Sequence, residues 1–237
     1  MIPRMPPELV VAQDLGSLAN GAADWIASAI GAAVARRGGC ALALAGGSTP
    51  RTVYRRLAEL AGIPWRSVTL CFGDERAVPP EHPDSNYRMA HEALLCRVDI
   101  PADRIHRMEA ERPDLEQAAR DYAALLPDPL DLLLLGMGDD GHVASLFPHA
   151  GALCEAARRV VPAQGGIPFV PRLTITPPVI RGARQLCLMV AGTGKAATVA
   201  RVLEGPADIA ELPAQLARQG TWFLDRAAAA HLRGVAP

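Results

Sequence analysis

The stretch Cys40-Ala41-Leu42-Ala43-Leu44-Ala45-Gly46-Gly47-Ser48-Thr49-Pro50 decides the fold. A short apolar run breaks into a turn of glycines and hydroxyls, and a proline then stands where a first helical turn accepts one. A run of this kind reads as a strand of a parallel sheet, buried on both faces. The same pattern recurs three times. Val68–Phe72 precedes Gly73-Asp74-Glu75-Arg76, and Leu132–Leu135 precedes Gly136-Met137-Gly138-Asp139-Asp140-Gly141-His142. Leu186–Val190 precedes Gly192-Thr193-Gly194-Lys195. Ligands of open parallel sheets lie at the carboxyl ends of the strands. All four loops are therefore expected to face one crevice.

Working outward, a loose Pro-rich lead over 1–7 precedes an edge strand over 8–12. A helix over 15–37 follows, with Leu15, Leu18, Ala22, Ile26, Ala29 and Ala33 on one face and Gly38-Gly39 ending it. The next helix is expected from Pro50 to Ala61, with Thr49 as its N-cap. A strand at 67–72, a loop at 77–86 and a helix at 86–95 come next. Beyond them lie a helix at 114–125 and a strand at 131–135. The pattern weakens over 143–170. It resumes with a strand at 172–176, a short helix opened by Pro177-Pro178, a strand at 186–190 and a helix at 195–203. A strand at 221–224 and a helix at 225–232 close the chain. This alternation predicts a right-handed, doubly wound, mainly parallel α/β sheet flanked by helices, in one domain over 1–237.

The 237 residues are half apolar, enough for a sizeable core. Lys+Arg 24 against Asp+Glu 25 leaves a net charge of −1, and aromatics are only 4%, so neither a nucleic-acid nor a membrane partner is expected. No apolar stretch reads as approaching the ~20 residues of a membrane span. The N-terminus has no apolar h-region, so a cytoplasmic protein is expected. The five cysteines include no CxxC, and Cys40, Cys71 and Cys187 read as buried reduced thiols. The histidines lack metal-ligand spacing, so no metal is expected.

Several motifs carry chemistry. Gly46–Pro50 suits a phosphate or carboxylate at a helix N-terminus, and equally a plain capped turn. Gly136-Met137-Gly138-Asp139-Asp140-Gly141 matches GxGxxG. Two aspartates facing a pyrophosphate, and Pro148 cutting the next segment short, argue against a dinucleotide. The same segment reads better as a site on His142, a proton acceptor near neutral pH, with Asp140 orienting its ring. Asp74-Glu75-Arg76 offers carboxylates and a guanidinium for an anion or oxyanion, or else a solvated ion pair. Lys195 stands as at the end of a P-loop, but Ala196 replaces the magnesium-binding hydroxyl. It reads as a phosphate ligand or an exposed lysine. No Gly-x-Ser-x-Gly elbow is present.

Together with Asp84-Ser85-Asn86-Tyr87, Ala144-Ser145-Leu146-Phe147-Pro148, Pro171-Arg172-Leu173-Thr174 and Gly194-Lys195-Ala196, these motifs resemble the glucosamine-6-phosphate isomerase/6-phosphogluconolactonase family, on its lactonase side. The resemblance covers 43–57, 70–94, 131–148 and 171–203, in the family's order. It implies a fold shared with glucosamine-6-phosphate deaminase and ribose-phosphate isomerase. It implies hydrolysis of 6-phospho-D-glucono-1,5-lactone, the second step of the oxidative pentose phosphate pathway, with no cofactor and no metal. The implied partner is this small phosphorylated sugar lactone, and the implied assembly is a monomer or small homo-oligomer. Catalysis would fall to His142, Asp74, Arg76 and Asp140. Substrate and phosphate binding would fall to Gly46, Gly47, Ser48, Thr49, Asn86, Arg172 and Lys195. The deaminase pattern has a Glu five residues after the His, where this chain has Phe147, and an aromatic residue where Arg76 stands. Both departures favour the lactonase. A non-catalytic sugar-phosphate sensor is the further alternative. The absence of a preceding helix-turn-helix and the intact acid–base residues speak against it.

Overall fold

The computed structural model describes residues 7–166 and 169–234. Apart from Pro7, the Pro-rich lead lies outside the described residues. In chain order the elements are β1 (Glu8–Ala12), α1 (Leu15–Arg37), β2 (Cys40–Leu44), α2 (Ser48–Leu57), β3 (Val68–Phe72) and β4 (Asp74–Arg76). They continue with α3 (Asn86–Ala93), α4 (Leu115–Leu125), β5 (Leu132–Leu135), β6 (Val160–Gly165) and β7 (Val170–Ile175). The last are α5 (Pro177–Gly182), β8 (Leu186–Val190), α6 (Ala196–Glu204), β9 (Thr221–Asp225) and α7 (Arg226–Ala229).

Six strands form a sheet in the order β1-β9-β8-β5-β2-β3, and every neighbouring pair is parallel. Every residue of β2, β5 and β9 is buried, because helices cover both faces of the sheet. From β2 the chain moves outward to β3, then crosses back to lay β5 on the other side of β2. The loops after β2 and β5 therefore diverge at the reversal point, which opens a crevice at their carboxyl ends.

A second sheet, absent from the sequence reading, is antiparallel in the order β4-β7-β6. Asp74 pairs with Thr174, and Arg76 with Arg172. Gly73 joins the two sheets: its N–H donates to Leu44 O and its carbonyl accepts from Ile175 N–H. One hydrophobic core spans both, since Leu173, Ile175 and Val160 join the same cluster as Leu42, Leu133 and Phe223.

Three further expectations need correction. α2 begins at Ser48, not Pro50, and Thr49 is not its cap. Gly47, at φ 106°, turns the chain directly into the helix, so Thr49 falls inside the first turn. The final helix ends at Ala229, with Asp225 as its cap rather than its first residue. Finally, α1 is long and apolar enough, by length and composition, to cross a membrane. Its apolarity has a core explanation: Leu18, Ala22, Ile26 and Ile30 are fully buried, and Trp25 packs edge-on against Phe223 of β9.

Candidate active site

The crevice at the reversal point has a volume of about 270 Å³. Its walls include Gly46–Pro50, Asp74, Arg76, Asn86, His142, Arg172 and Lys195. Each of the four strand-end loops contributes, as their placement after parallel strands requires.

The anion-binding turn is built by β2 and α2. Tyr54 of α2 donates its hydroxyl to Ala45 O at 2.9 Å and accepts from Ala45 N–H at 2.8 Å. The helix is thus pinned to the end of the strand. The N–H groups of Ser48 and Thr49, in the first turn of α2, have no partner within the helix. They stand at its positive end. No side chain caps this helix, so those donors remain open to a ligand. A Cβ on Gly46 would overlap the Asn86 amide, so only glycine lets that amide lie against the turn.

His142 sits after β5 in a tight loop. Gly138 N–H donates to His142 O at 2.9 Å, and a Cβ on Gly138 would overlap the imidazole. His142 Nδ1 lies 2.6 Å from Asp140 Oδ1, which also accepts from the His142 N–H at 3.1 Å. Partial burial pushes the Asp140 carboxyl up, but the hydrogen bonds from His142 outweigh it and hold it below the usual carboxylate value. An ionised carboxylate only accepts, so Nδ1 carries the proton. Nε2 is left with its lone pair, the arrangement a general base needs. Phe147 flanks the ring, with centroids 4.7 Å apart.

β4 separates its charged residues by strand alternation. Asp74 and Arg76 face the crevice, whereas Glu75 turns to the N-terminus of α3. Glu75 accepts from the N–H groups of Arg76, Asn86 and Tyr87 and from the Ser85 hydroxyl. Burial pushes its carboxyl up, and these hydrogen bonds pull it back without cancelling the rise. Glu75 is thus a structural cap.

Asp74 accepts from Ser145 Oγ at 2.5 Å and from Asn86 Nδ2 at 3.1 Å. Asn86 Oδ1 in turn accepts from Arg76 Nη1 at 2.8 Å. Ser145, fully buried, gives no signal of its own in the sequence, although it lies within Ala144-Ser145-Leu146-Phe147-Pro148. Arg172 is buried, donates from Nε to Gly165 O at 3.0 Å and stands over the Phe147 ring. Burial lowers its affinity for its proton, and Asp74, 3.9 Å away, opposes that. Lys195, at the start of α6, pairs with Asp139 at 2.5 Å. Asp225 at the end of β9 likewise gives no signal of its own in the sequence. It accepts from Gly192 N–H with both oxygens at 3.0 Å and so holds the loop that carries Lys195. Among the described residues no cluster of His, Cys, Asp or Glu has the makings of a metal site.

A doubly wound sheet whose reversal-point crevice joins an open helix N-terminus to a carboxylate-oriented histidine defines an α/β protein with an anion-binding turn beside an acid–base histidine. The family model described as "Glucosamine-6-phosphate isomerases/6-phosphogluconolactonase" matches residues 13–224. The chain is 39% identical to a 6-phosphogluconolactonase of Synechocystis, over 97% of this chain and all of that one. It is 40% identical to the 6-phosphogluconolactonase of Mycobacterium tuberculosis, over 96% and 99% of the two chains. The solved 6-phosphogluconolactonase of Trypanosoma brucei superposes with a TM-score of 0.84 at 30% identity, over 95% and 98%. This chain belongs to the glucosamine-6-phosphate isomerase/6-phosphogluconolactonase family.

Proposed function

We propose that this chain is a 6-phosphogluconolactonase: it hydrolyses 6-phospho-D-glucono-1,5-lactone to 6-phospho-D-gluconate, in the oxidative pentose phosphate pathway. The observation that carries the reading of the site is the 2.6 Å pairing of His142 with Asp140 in a crevice that also holds Arg76 and an open helix N-terminus. In this reading the first-turn N–H groups and hydroxyls of Ser48 and Thr49, together with Lys195, hold the 6-phosphate. That grip sets the lactone carbonyl against His142.

His142 Nε2 takes a proton from the attacking water. The carbonyl oxygen gains negative charge and takes donors from Arg76. The Arg76 Nε–H is buried with no partner of its own among the described residues. One such donor typically contributes about 3–4 kcal/mol to the transition state. As the C–O bond breaks, the protonated His142 returns its proton to the ring oxygen. The new carboxylic acid then releases a proton to solvent.

Asp140 holds the His142 tautomer. Asp74 fixes Asn86, and Asn86 fixes Arg76, so Asn86 serves as a brace rather than a phosphate ligand. Arg172 lines the crevice beside Asp74 and adds positive charge to it. Phe147 fills the space between His142 and Arg172, leaving an apolar ring where ring-opening chemistry would call for an acid. We place the enzyme in the cytoplasm, as a single domain acting as a monomer or small homo-oligomer, with no cofactor.

The test follows acid release from freshly made 6-phosphogluconolactone above its spontaneous background, with His142→Ala alongside. Fast release by the wild type, lost in the variant, supports the reading. A wild type that does not exceed background sinks it.

A further inference from the structure

Lys195, assigned above to the phosphate, is already engaged. Its Nζ lies 2.5 Å from Asp139 Oδ1, on the same loop that carries Asp140 and His142. The Asp139 side chain is 80% exposed, whereas that of Lys195 is 23% exposed and lines the crevice. The backbone around Asp139 is fixed. Its carbonyl accepts from Thr198 Oγ1 at 2.7 Å, and Gly138 is tied to His142. The carboxylate can therefore swing into solvent without disturbing the catalytic loop. A dianionic phosphate and the Asp139 carboxylate cannot both sit on one ammonium without like-charge repulsion.

We infer that the Asp139 carboxylate competes with the substrate's phosphate for Lys195, and so sets how tightly a phosphorylated ligand is held. This rests on the phosphate-site reading of Lys195. An anion competes with Asp139 for the ammonium, whereas a neutral sugar lactone leaves the pair closed. Hydrolysis adds a carboxylate to the molecule already holding the phosphate. As that product leaves, Asp139 closes again on Lys195, and the next phosphorylated molecule, substrate or product, must displace it.

The experiment titrates inorganic phosphate into wild type, Asp139→Asn, Asp139→Glu and Lys195→Ala by calorimetry. It then measures kcat and KM for the phosphorylated lactone and for unphosphorylated glucono-1,5-lactone. Exposed ion pairs are worth little, so Asp139→Asn is expected to bind phosphate about 2- to 5-fold more tightly. Its KM for the phosphorylated lactone falls by a similar factor, while KM for the unphosphorylated lactone stays put. Asp139→Glu, which keeps the charge, is expected to stay near wild type. Unchanged or weaker phosphate binding by Asp139→Asn, with Lys195→Ala weaker than wild type, overturns the competition and leaves the phosphate site standing. Lys195→Ala binding phosphate as well as wild type overturns both.

Discussion

At the residue scale, neighbouring charged groups of the crevice have different partners. Asp140 is committed to the His142 Nδ1 proton, and its depressed carboxyl stays ionised throughout the neutral range. General-base catalysis is typically worth ~10²–10⁴-fold, so His142→Ala is expected to lose that much in kcat with a smaller change in KM. Stopped-flow or pH-stat kinetics above background would measure it. Asp74 and Glu75, adjacent in sequence, are separated by the pleat: one braces the crevice, the other caps α3. Sequence supplied the residue types at the site but not this division, because Asp74-Glu75-Arg76 looked like a loop, and only a strand forces alternate residues to opposite sides. Ser145 and Asp225 escaped for a related reason. Their partners, Asp74 and Gly192, lie 71 and 33 residues away, beyond any local pattern.

At the element scale, the strands of the parallel sheet and β7 were legible, and the clearest of them were the apolar ones. β2, β5 and β8 are continuous apolar runs, and β3 is broken only by Thr69, because the sheet is covered on both faces. β4 has three charged residues, and β6 carries a Pro, a Gln and a Gly, so neither shows an apolar signal. They are strands because β7 lies between them. The junction of β2 and α2 depends on the Tyr54 phenol, which satisfies both the N–H and the C=O of Ala45. Tyr54→Phe leaves those two backbone groups without partners, at about 2–3 kcal/mol of stability. Urea denaturation would report the loss, and a raised KM with kcat near wild type would report loosening of the anion turn. The Glu75 cap makes a pH prediction. Burial raises its carboxyl above the ordinary 4.5, so the native state keeps that proton to higher pH than the unfolded chain does. Its contribution is present below 4.5 and is lost as pH rises through the raised value. The stability of Glu75→Gln relative to wild type is therefore expected to improve as pH climbs from 4 toward 7. Paired urea curves across that range that stayed parallel would contradict it.

At the scale of the whole molecule, the two sheets share one core, and the site needs both. His142 stands on a loop of the parallel sheet, and Arg76 and Arg172 on strands of the antiparallel one. Loss of activity and loss of far-UV circular dichroism are therefore expected to coincide in urea; activity lost well before secondary structure would mean that the small sheet detaches alone. The fully buried Cys71 and Cys187 belong to this core. Burial pushes both thiols up, Cys71 to about 12, so they stay protonated and inert. The four-loop crevice was foreseeable because parallel strands deliver their carboxyl ends to one side. The small sheet was not, since it comes from pairing between distant segments. The layout also has a consequence for descent. The residues assigned to the phosphate follow β2 and β8, while those assigned to the carbonyl sit on β4 and beyond β5. These are separate stretches of gene, free to change on separate schedules. A lineage can keep its handle for phosphorylated sugars and rewrite the reaction beside it on the same scaffold.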